Sequence, residues 1–303
     1  MPGAGRLPTV RTMSERRSLY GVALPASPRH FGRLVESARL AEELGADLVT
    51  VSDHPYLPSE LETFTLLALL VGRTERVLVA PNVAPLTLRP PAMLAKSAST
   101  LQFVSGGRFV LGLGVGGPYE LTPGFGGAWP GIGQAISALD EAIPLIRRLW
   151  GPESIDHDGT YFRLKQANAG PAPEPDVPIW VGSFKPRMLA VTGRHADGWL
   201  PTNAYLDLAE VPELHRRIDE AAQAAGRDPG RIRRVFNVMG TISDRVPERN
   251  DRLLNGSARH WVTALRDYRD RLGFDSFVFW PVQGDVREQI RLFFEQVHPH
   301  VGR

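Results

Sequence analysis

The chain has 303 residues, 43% of them hydrophobic, which is enough for one large core, and α/β barrels of this length form a single domain. Its 35 basic and 33 acidic residues give a formal net charge of +2, and because they form no run of like charges they disfavour a nucleic-acid partner. The sequence contains no cysteine, which excludes disulfides, thiolate metal sites and a cysteine nucleophile and fits a reducing cytoplasm.

The N-terminal segment, residues 1–17, is polar, with scattered Arg and without the apolar stretch of a secretory signal. We therefore predict a disordered extension over residues 1–18, followed by a single domain over residues 19–303. No later stretch reaches the roughly 18 apolar residues of a membrane span, so a membrane partner is also disfavoured.

Eight short apolar runs, rich in Val, Leu, Ile and Phe, follow in the chain and predict eight strands. They cover residues 19–24, 48–52, 77–82, 109–115, 179–183, 198–201, 235–242 and 276–282. Stretches with helical periodicity lie at about residues 29–44, 61–72, 90–104, 133–150, 185–195, 207–225, 256–271 and 285–297. Apolar strands that alternate with amphipathic helices indicate parallel βαβ units, and eight such units predict a closed (β/α)8, or TIM, barrel.

Long connections interrupt this alternation. Residues 116–132, after the fourth predicted strand, hold six glycines and three prolines, and residues 243–256 form an insertion after the seventh. Residues 152–178 contain the sequence HDGTYF and are predicted to form a hairpin before the fifth strand. Because long ordered loops are usually functional, we expect the substrate pocket to be lined by residues around 119–130, 157–165 and 243–256.

The segment TVSDHP, residues 50–55, changes abruptly from β-branched to polar residues. Asp53 and His54 fall at the carboxyl end of the second predicted strand, where barrel enzymes place catalytic groups. An Asp beside a His can set the charge and tautomer of the imidazole, which then moves protons near neutral pH. The alternative is structural, with Asp53 capping a turn and His54 bonded to a carbonyl. The position at a strand end favours the functional interpretation.

The third predicted strand ends at Asn82, within the sequence APNVAPLTLRPP of residues 80–91. Prolines lie on both sides of this strand end. They are compatible with a strained backbone that faces a ligand, and equally with an ordinary proline-rich loop.

The fourth predicted strand contains Gly112 and Gly114 and is followed by Gly116 and Gly117. Glycine within a strand indicates close approach of another backbone or of a flat ligand. A dinucleotide-binding GxGxxG motif would need a helix directly after these glycines, and the nearby prolines argue against one.

The fifth predicted strand ends in Gly182 and Ser183, and a helix is predicted from Lys185. Free backbone N–H groups at such a helix start suit a phosphate, helped by the Ser183 hydroxyl and Lys185. Plain capping of the helix by Ser183 is the alternative. His195, late in that helix, is interpreted as a partner of the helix C-terminus. No cluster of His and carboxylate residues has metal-ligand spacing, so no metal site is predicted.

Four segments in order resemble the luciferase-like monooxygenase family over about residues 19–297. They are LAEELGADLVTVSDH, LAKSASTLQFVSGGRFVLGLGVGG, PIWVGSFKPRMLAVTGRHADGW and GSARHWVTALRDYRDRLGFDSFVFWPV. The family consists of barrel enzymes that use FMN or the deazaflavin coenzyme F420, so the resemblance implies a flavin-like ring across the mouth of the barrel.

The resemblance also implies roles for individual residues. The sequence SDH matches the deazaflavin-using branch, in which Asp53 and His54 would face the ring, with His54 exchanging the proton and Asp53 positioning it. The bond Asn82–Val83 matches the site of a non-proline cis peptide that supports the ring, and Ser183 matches the phosphate-side loop. Together, the implied cofactor-binding positions are Asp53, Asn82, Val83, Gly116, Gly117, Gly182 and Ser183.

The sequence departs from the family at one informative position. Some deazaflavin dehydrogenases carry an acidic residue just after the glycines of the fourth strand, where this chain has Gly117, and its nearest carboxylate is Glu120. This difference disfavours a sugar-phosphate dehydrogenase.

We therefore predict a cytoplasmic F420-dependent oxidoreductase that transfers a hydride between the deazaflavin and a small organic substrate. The alternative is an FMN-dependent monooxygenase that uses reduced flavin and oxygen, and a third possibility is a non-catalytic flavin-binding barrel. A homodimer is expected, through an apolar face on residues 61–72 (Phe64, Leu67, Leu70) or 90–104, although core packing explains the same residues.

Overall fold

The computed structural model describes residues 17–117, 121–127, 131–245 and 252–302. The strands are β1 (Tyr20–Leu24), β2 (Leu48–Val51), β3 (Leu78–Pro81), β4 (Ala84–Pro85), β5 (Leu111–Gly114), β6 (Ile155–Asp158), β7 (Arg163–Ala167), β8 (Ile179–Val181), β9 (Gly198–Trp199), β10 (Arg233–Ile242), β11 (Leu254–Gly256) and β12 (Ser276–Pro281). The α-helices are α1 (Phe31–Glu43), α2 (Thr63–Val71), α3 (Pro91–Ser105), α4 (Ile132–Leu149), α5 (Pro186–His195), α6 (Val211–Ala224), α7 (Ala258–Asp270), α8 (Val286–Arg291) and α9 (His298–Val301), the last two joined by a π-helix, Leu292–Val297. The predicted alternation of strands and helices is therefore present.

The main sheet is parallel and closes on itself. Its strand order is β3-β2-β1-β12-β10-β9-β8-β5-β4, with β11 added beside β10. The two ends of this order meet at Val79, whose N–H donates to the carbonyl of Arg108 (2.8 Å) and whose carbonyl accepts from the N–H of Val110 (3.0 Å). The result is the predicted (β/α)8 barrel, and the carboxyl ends of its strands share one rim, which we call the mouth.

Alternation along the strands divides the buried apolar residues into two layers, because successive side chains point to opposite faces of a strand. One layer fills the barrel interior: Ala23, Leu48, Ala80, Val110, Trp180, Leu200, Val235 and Val278. The other, larger layer lies between the outside of the barrel and the helices. Hydrophobic burial in these layers holds the strand ends in place, so the polar residues of the mouth stand on a rigid support.

The ends of the elements follow local residue chemistry. Helix α1 is followed by Gly45 (φ 93°) and α3 by Gly106 (φ 65°), both in the left-handed region that glycine adopts without strain. Helix α3 starts at Pro91, where a first-turn proline loses no hydrogen bond. The third predicted strand, 77–82, is present as β3, and a two-residue strand that was not predicted, β4, follows it after the bond between Asn82 and Val83.

The hairpin predicted within residues 152–178 is present, as β6 paired antiparallel with β7. Glu141 of α4 holds its turn by accepting hydrogen bonds from the backbone N–H groups of Thr160 and Phe162 (3.1 and 3.0 Å) and by lying 3.0 Å from Nε2 of His157. The insertions predicted after the fourth and seventh strands are described only in part, and Tyr119 and Trp129 lie outside the described residues.

Residues 1–16 of the predicted extension also lie outside the described part of the chain. Arg17, which the sequence assigned to that extension, contacts the barrel, because it pairs with Asp47 and its carbonyl accepts from Arg233 (3.0 Å). Among the described residues, no helix has the length and hydropathy needed to cross a membrane.

Candidate active site

Asp53 is the most deeply buried ionisable residue at the mouth, with 2% of its surface exposed. It lies two residues beyond the end of β2 and binds Arg89, which follows β4. Arg89 donates from Nε to Oδ2 of Asp53 (2.7 Å) and from Nη2 to Oδ1 (2.8 Å). Burial raises the pKa of Asp53, and the hydrogen bonds and charge of Arg89 act in the opposite direction. This two-point ion pair fixes the orientation of both side chains.

Arg89 is itself held from two further sides. Its Nη2 donates to Oε1 of Glu62 (2.5 Å), and its guanidinium lies 4.5 Å from the centroid of the Phe64 ring. Burial acts to lower the pKa of Arg89, but the bonds to Asp53 and Glu62 outweigh burial and raise it. Glu62 also caps the start of α2 by accepting from Thr65 N (2.7 Å). The cluster therefore links the loop after β2, the loop after β4 and helix α2.

His54 does not pair with Asp53, contrary to the predicted arrangement. The carboxylate of Asp53 is taken by Arg89, whereas Nδ1 of His54 lies 2.7 Å from the hydroxyl of Tyr56. Tyr56 is buried, and His54 is partly exposed at the mouth. Burial raises the pKa of Tyr56 to about 12, with Glu60 adding to the effect, so the Tyr56 hydroxyl stays protonated at neutral pH. The partner that orients His54 is thus a tyrosine two residues further on.

The peptide bond Asn82–Val83 is cis, as the family resemblance implied. The Asn82 side chain points into the barrel, where its amide nitrogen donates to Oδ1 of Asn237 (2.7 Å) and to the hydroxyl of Thr50 (3.2 Å). Asn237 donates in turn to Asn82 (3.2 Å) and to Thr202 (3.3 Å). Since β3 and β10 lie on opposite sides of the strand order, this network crosses the barrel just below the mouth.

The glycines of β5 and β8 make room for Val83. A Cβ on Gly114 would lie 2.7 Å from Cγ2 of Val83, and one on Gly182 would lie 3.3 Å from the same atom. A Cβ on Gly112 would lie 2.1 Å from the carbonyl oxygen of Pro81. Of the two explanations raised by the sequence, close approach of another backbone accounts for Gly112, whereas the side chain of Val83 fills the space beside Gly114. Val83 and the two glycines beside it, Gly114 and Gly182, are together called the Val83 surface.

Gly116 and Gly117 follow β5 at the mouth. Gly116 has a φ of 91°, and a Cβ there would lie 2.8 Å from Oγ1 of Thr87, so both the backbone conformation and the space favour glycine. Gly117 is partly exposed and is the last described residue before the gap at 118–120.

Ser183, which the resemblance assigned to a phosphate-side loop, is buried. Its hydroxyl lies 2.9 Å from that of Thr192 in α5, and its carbonyl accepts from Nε1 of Trp199 (2.8 Å). The Ser183 hydroxyl is therefore paired with Thr192, and Ser183 does not cap the helix. The N-cap position is Lys185, which makes no side-chain capping bond. The first N–H groups of α5 thus remain available for an anion.

Three residues of the site were not singled out from the sequence: Tyr56, Arg89 and Asn237. Tyr56 was within reach of local inspection, because it follows His54 by two residues. Arg89 is an Arg among prolines, and Asn237 is a polar residue at an inward position of an otherwise apolar strand. A buried polar residue requires a hydrogen-bond partner. The sequence could therefore have indicated that Asn237 has such a partner, but not that the partner is Asn82.

Polar groups gathered at the carboxyl ends of parallel barrel strands are the arrangement of barrel proteins that bind a ligand or cofactor at the mouth. A family model described as luciferase-like monooxygenase matches residues 15–283. The chain belongs to this family, as the four ordered segments predicted.

Similar proteins include enzymes that use F420. The chain is 34% identical over 225 residues to an F420-dependent glucose-6-phosphate dehydrogenase of Nocardia farcinica, which covers 70% of this chain and 66% of that protein. A protein of the same description from Amycolatopsis mediterranei is 31% identical over 92% of this chain and 89% of its own length. The alignments with the first relatives thus span slightly less than two thirds of their length.

Among solved structures, an F420-dependent secondary alcohol dehydrogenase in complex with an F420-acetone adduct superimposes with a TM-score of 0.85 at 18% identity, covering 95% of this chain and all of that one. An F420-dependent tetrahydromethanopterin reductase from Methanopyrus kandleri gives a TM-score of 0.80 at 18% identity, covering 94% of this chain and all of the other. These likenesses confirm the barrel fold.

Proposed function

We propose that the protein is an F420-dependent oxidoreductase that transfers a hydride between the deazaflavin and a small organic substrate. The observation that carries this proposal is the placement of His54, oriented by Tyr56, at the mouth beside the buried Asp53–Arg89 pair. The relatives named as F420-dependent dehydrogenases support the choice of cofactor.

The residues at the mouth fit a flat, phosphate-bearing cofactor. The two glycines of the Val83 surface add no side chain against a planar ring. The uncapped start of α5, with Lys185 beside it, supplies backbone N–H groups and a positive charge for a phosphate. In this arrangement Asp53, Asn82, Val83, Gly116, Gly117 and Gly182 border the ring, and Ser183 supports the phosphate-side loop from beneath.

The chemistry of the proposed reaction divides between cofactor and protein. F420, when bound, supplies the carbon that accepts or donates the hydride. His54 exchanges the accompanying proton with the substrate oxygen through Nε2, since Nδ1 faces Tyr56. The Tyr56 hydroxyl can donate to a bare Nδ1 or accept from a protonated one, so it supports both tautomers of the ring. The same site therefore serves oxidation and reduction.

Asp53 and Arg89 act as a positioning pair in this proposal. Because the two-point contact leaves the carboxylate no freedom to rotate, the segment 53–56 is held in one conformation, and with it His54. Removing one partner would leave the other charge buried without compensation.

Reconstitution with each cofactor tests the proposed function. We expect the absorbance and fluorescence of F420 to change on titration with the purified protein, with a dissociation constant well below that for FMN. Binding of FMN without affinity for F420, followed by oxygen consumption on reduction, would instead establish the flavin monooxygenase. Cofactor binding without turnover on any panel of alcohols, aldehydes and ketones would favour the non-catalytic barrel.

We also propose a homodimer and a cytoplasmic location. The residues of α2 named for a dimer face are core residues instead, since Leu67 and Leu70 are fully buried and Phe64 lies against Arg89. The alternative face is better supported, because α3 exposes Met93, Phe103 and Val104. The absence of cysteine is compatible with a reducing compartment.

A further inference from the structure

Two aromatic residues stand across the mouth from His54. Phe184 follows β8 and Tyr205 follows β9, and both strands lie on the side of the barrel opposite β2. Their rings are stacked, with centroids 5.8 Å apart and an interplanar angle of 27°. Phe184 is 41% exposed and Tyr205 is 68% exposed. A contiguous patch of exposed apolar side chains favours a site for a ligand or partner.

The aromatic pair and His54 lie on the same rim, because β2, β8 and β9 are parallel strands of one sheet that end at the mouth. Burial is the main cause that raises the pKa of Tyr56, and the nearby groups that add to it include Tyr205, which places the two hydroxyl groups within electrostatic reach. Trp280, at the carboxyl end of β12, is partly exposed and packs against the apolar layer inside the barrel. In the strand order, β12 lies between β2 and the strands β9 and β8. A molecule bound beside His54 therefore faces aromatic side chains across the mouth.

Other exposed apolar residues extend this surface. Outside α3, the large hydrophobic side chains that the described residues expose lie on connections that leave the mouth or at the first residue of the helix that follows: Phe31, Leu121, Phe125 and Ile132, in addition to Phe184 and Tyr205. A concentration of apolar side chains at the rim of a ligand site favours a ligand with apolar surface of its own.

The charges near His54 oppose a phosphorylated substrate. The segment that carries His54 also carries Asp53, Glu60 and Glu62. Arg89 forms ion pairs with two of these carboxylates, so its positive charge is already compensated. Lys185, next to Phe184, is assigned above to the cofactor phosphate. A phosphate beside His54 would therefore meet a net negative environment at short range.

We propose that the substrate is an uncharged alcohol or carbonyl compound with a flat apolar ring, which stacks on Phe184 and Tyr205 while its oxygen meets His54. This inference rests on the proposed function. In the oxidation direction the C–H bond at the carbinol carbon would break, and oxidised F420, when bound, would supply the acceptor for its hydride. The O–H proton passes to Nε2 of His54, and the C=O bond forms. The reverse reaction consumes reduced deazaflavin and the proton of His54.

The test uses 1-phenylethanol and acetophenone as probes and glucose 6-phosphate as the competing substrate. Binding of acetophenone is measured by calorimetry, with and without F420, for the wild type and for Tyr205→Ser. The substitution replaces an exposed side chain and leaves the core intact. Gln223→Ser, at an exposed position of α6, is the control. We expect Tyr205→Ser to weaken acetophenone binding about tenfold, equivalent to about 1.4 kcal/mol, and the control to have no effect.

The holoenzyme is expected to oxidise 1-phenylethanol and not glucose 6-phosphate. Faster turnover of glucose 6-phosphate, or equal binding of acetophenone to the wild type and Tyr205→Ser, would overturn the inference. The proposed function fails separately, if the spectrum of F420 does not change on mixing with the protein. In that case binding of acetophenone to the protein alone still decides whether the aromatic surface takes such a ligand.

Discussion

Asp53 and His54 are neighbours in sequence and have different partners in the structure. Asp53 binds Arg89, 36 residues further along the chain, and His54 contacts Tyr56. No hydrogen bond joins the two side chains, because the Asp53 carboxylate is bound by Arg89 and the His54 ring by Tyr56. The position of both residues at the end of β2 was nevertheless predictable, because it depends only on where the apolar run stops.

His54→Ala is expected to lower kcat by about 10²- to 10⁴-fold, the usual contribution of a positioned acid or base, with little change in the affinity for F420. Tyr56→Phe removes only the hydroxyl and is expected to lower kcat by about tenfold, with KM unchanged, since one hydrogen bond that orients the ring is lost. His300→Ala, on an exposed side chain, is the control. Equal losses of turnover and cofactor affinity in His54→Ala would make His54 a binding residue.

Helix α3 shows how one element carries two faces. Its inward positions, including Leu94, Ala98 and Leu101, pack against the barrel, whereas Phe103 is 73% exposed. The helical period predicts that two such faces exist. It does not say which of two neighbouring apolar helices is covered, and the sequence therefore left α2 and α3 as equal candidates for a dimer face.

Phe103→Glu is expected to convert the proposed homodimer to a monomer, because it places a charge in the centre of an apolar contact. Light scattering of the purified protein at several concentrations measures the mass. Gln223→Glu adds the same charge to an exposed position of α6 and serves as the control. A wild type that is monomeric at all concentrations, or a Phe103→Glu protein that stays dimeric, would contradict the assignment of this face.

For the whole molecule, the pH dependence of stability includes a buried histidine far from the proposed chemistry. His215 of α6 lies against Trp199 and Phe274, with ring centroids 4.9 and 5.3 Å away. Burial lowers its pKa to about 4, and the charge of Arg234 acts in the same direction. In the unfolded chain the pKa returns to about 6.5. The unfolded state therefore takes up a proton first as the pH falls.

The contribution of His215 to stability is thus complete above about pH 6.5 and is lost as the pH falls from there to about 4. Between about pH 7 and about pH 5 we expect this one site to remove about 2 kcal/mol from the free energy of unfolding. His215→Phe keeps an aromatic ring and should reduce that loss, whereas His300→Ala should not. Urea unfolding at the two pH values measures the difference, and an identical pH dependence in wild type and His215→Phe would refute the prediction.

The sequence by itself determined the alternation of strands and helices, the barrel, the hairpin before β8 and the location of Asp53, His54, Asn82 and Gly182 at strand ends. Each of these follows from periodicity, turn residues and motif order, which are local properties of the chain. Only the tertiary structure decided which side chains meet. Asn82 and Asn237 are 155 positions apart and bond across the barrel, and Phe184 and Tyr205 stack across a connection between two strands. Such contacts depend on how the ring of strands closes, and no local pattern contains that information.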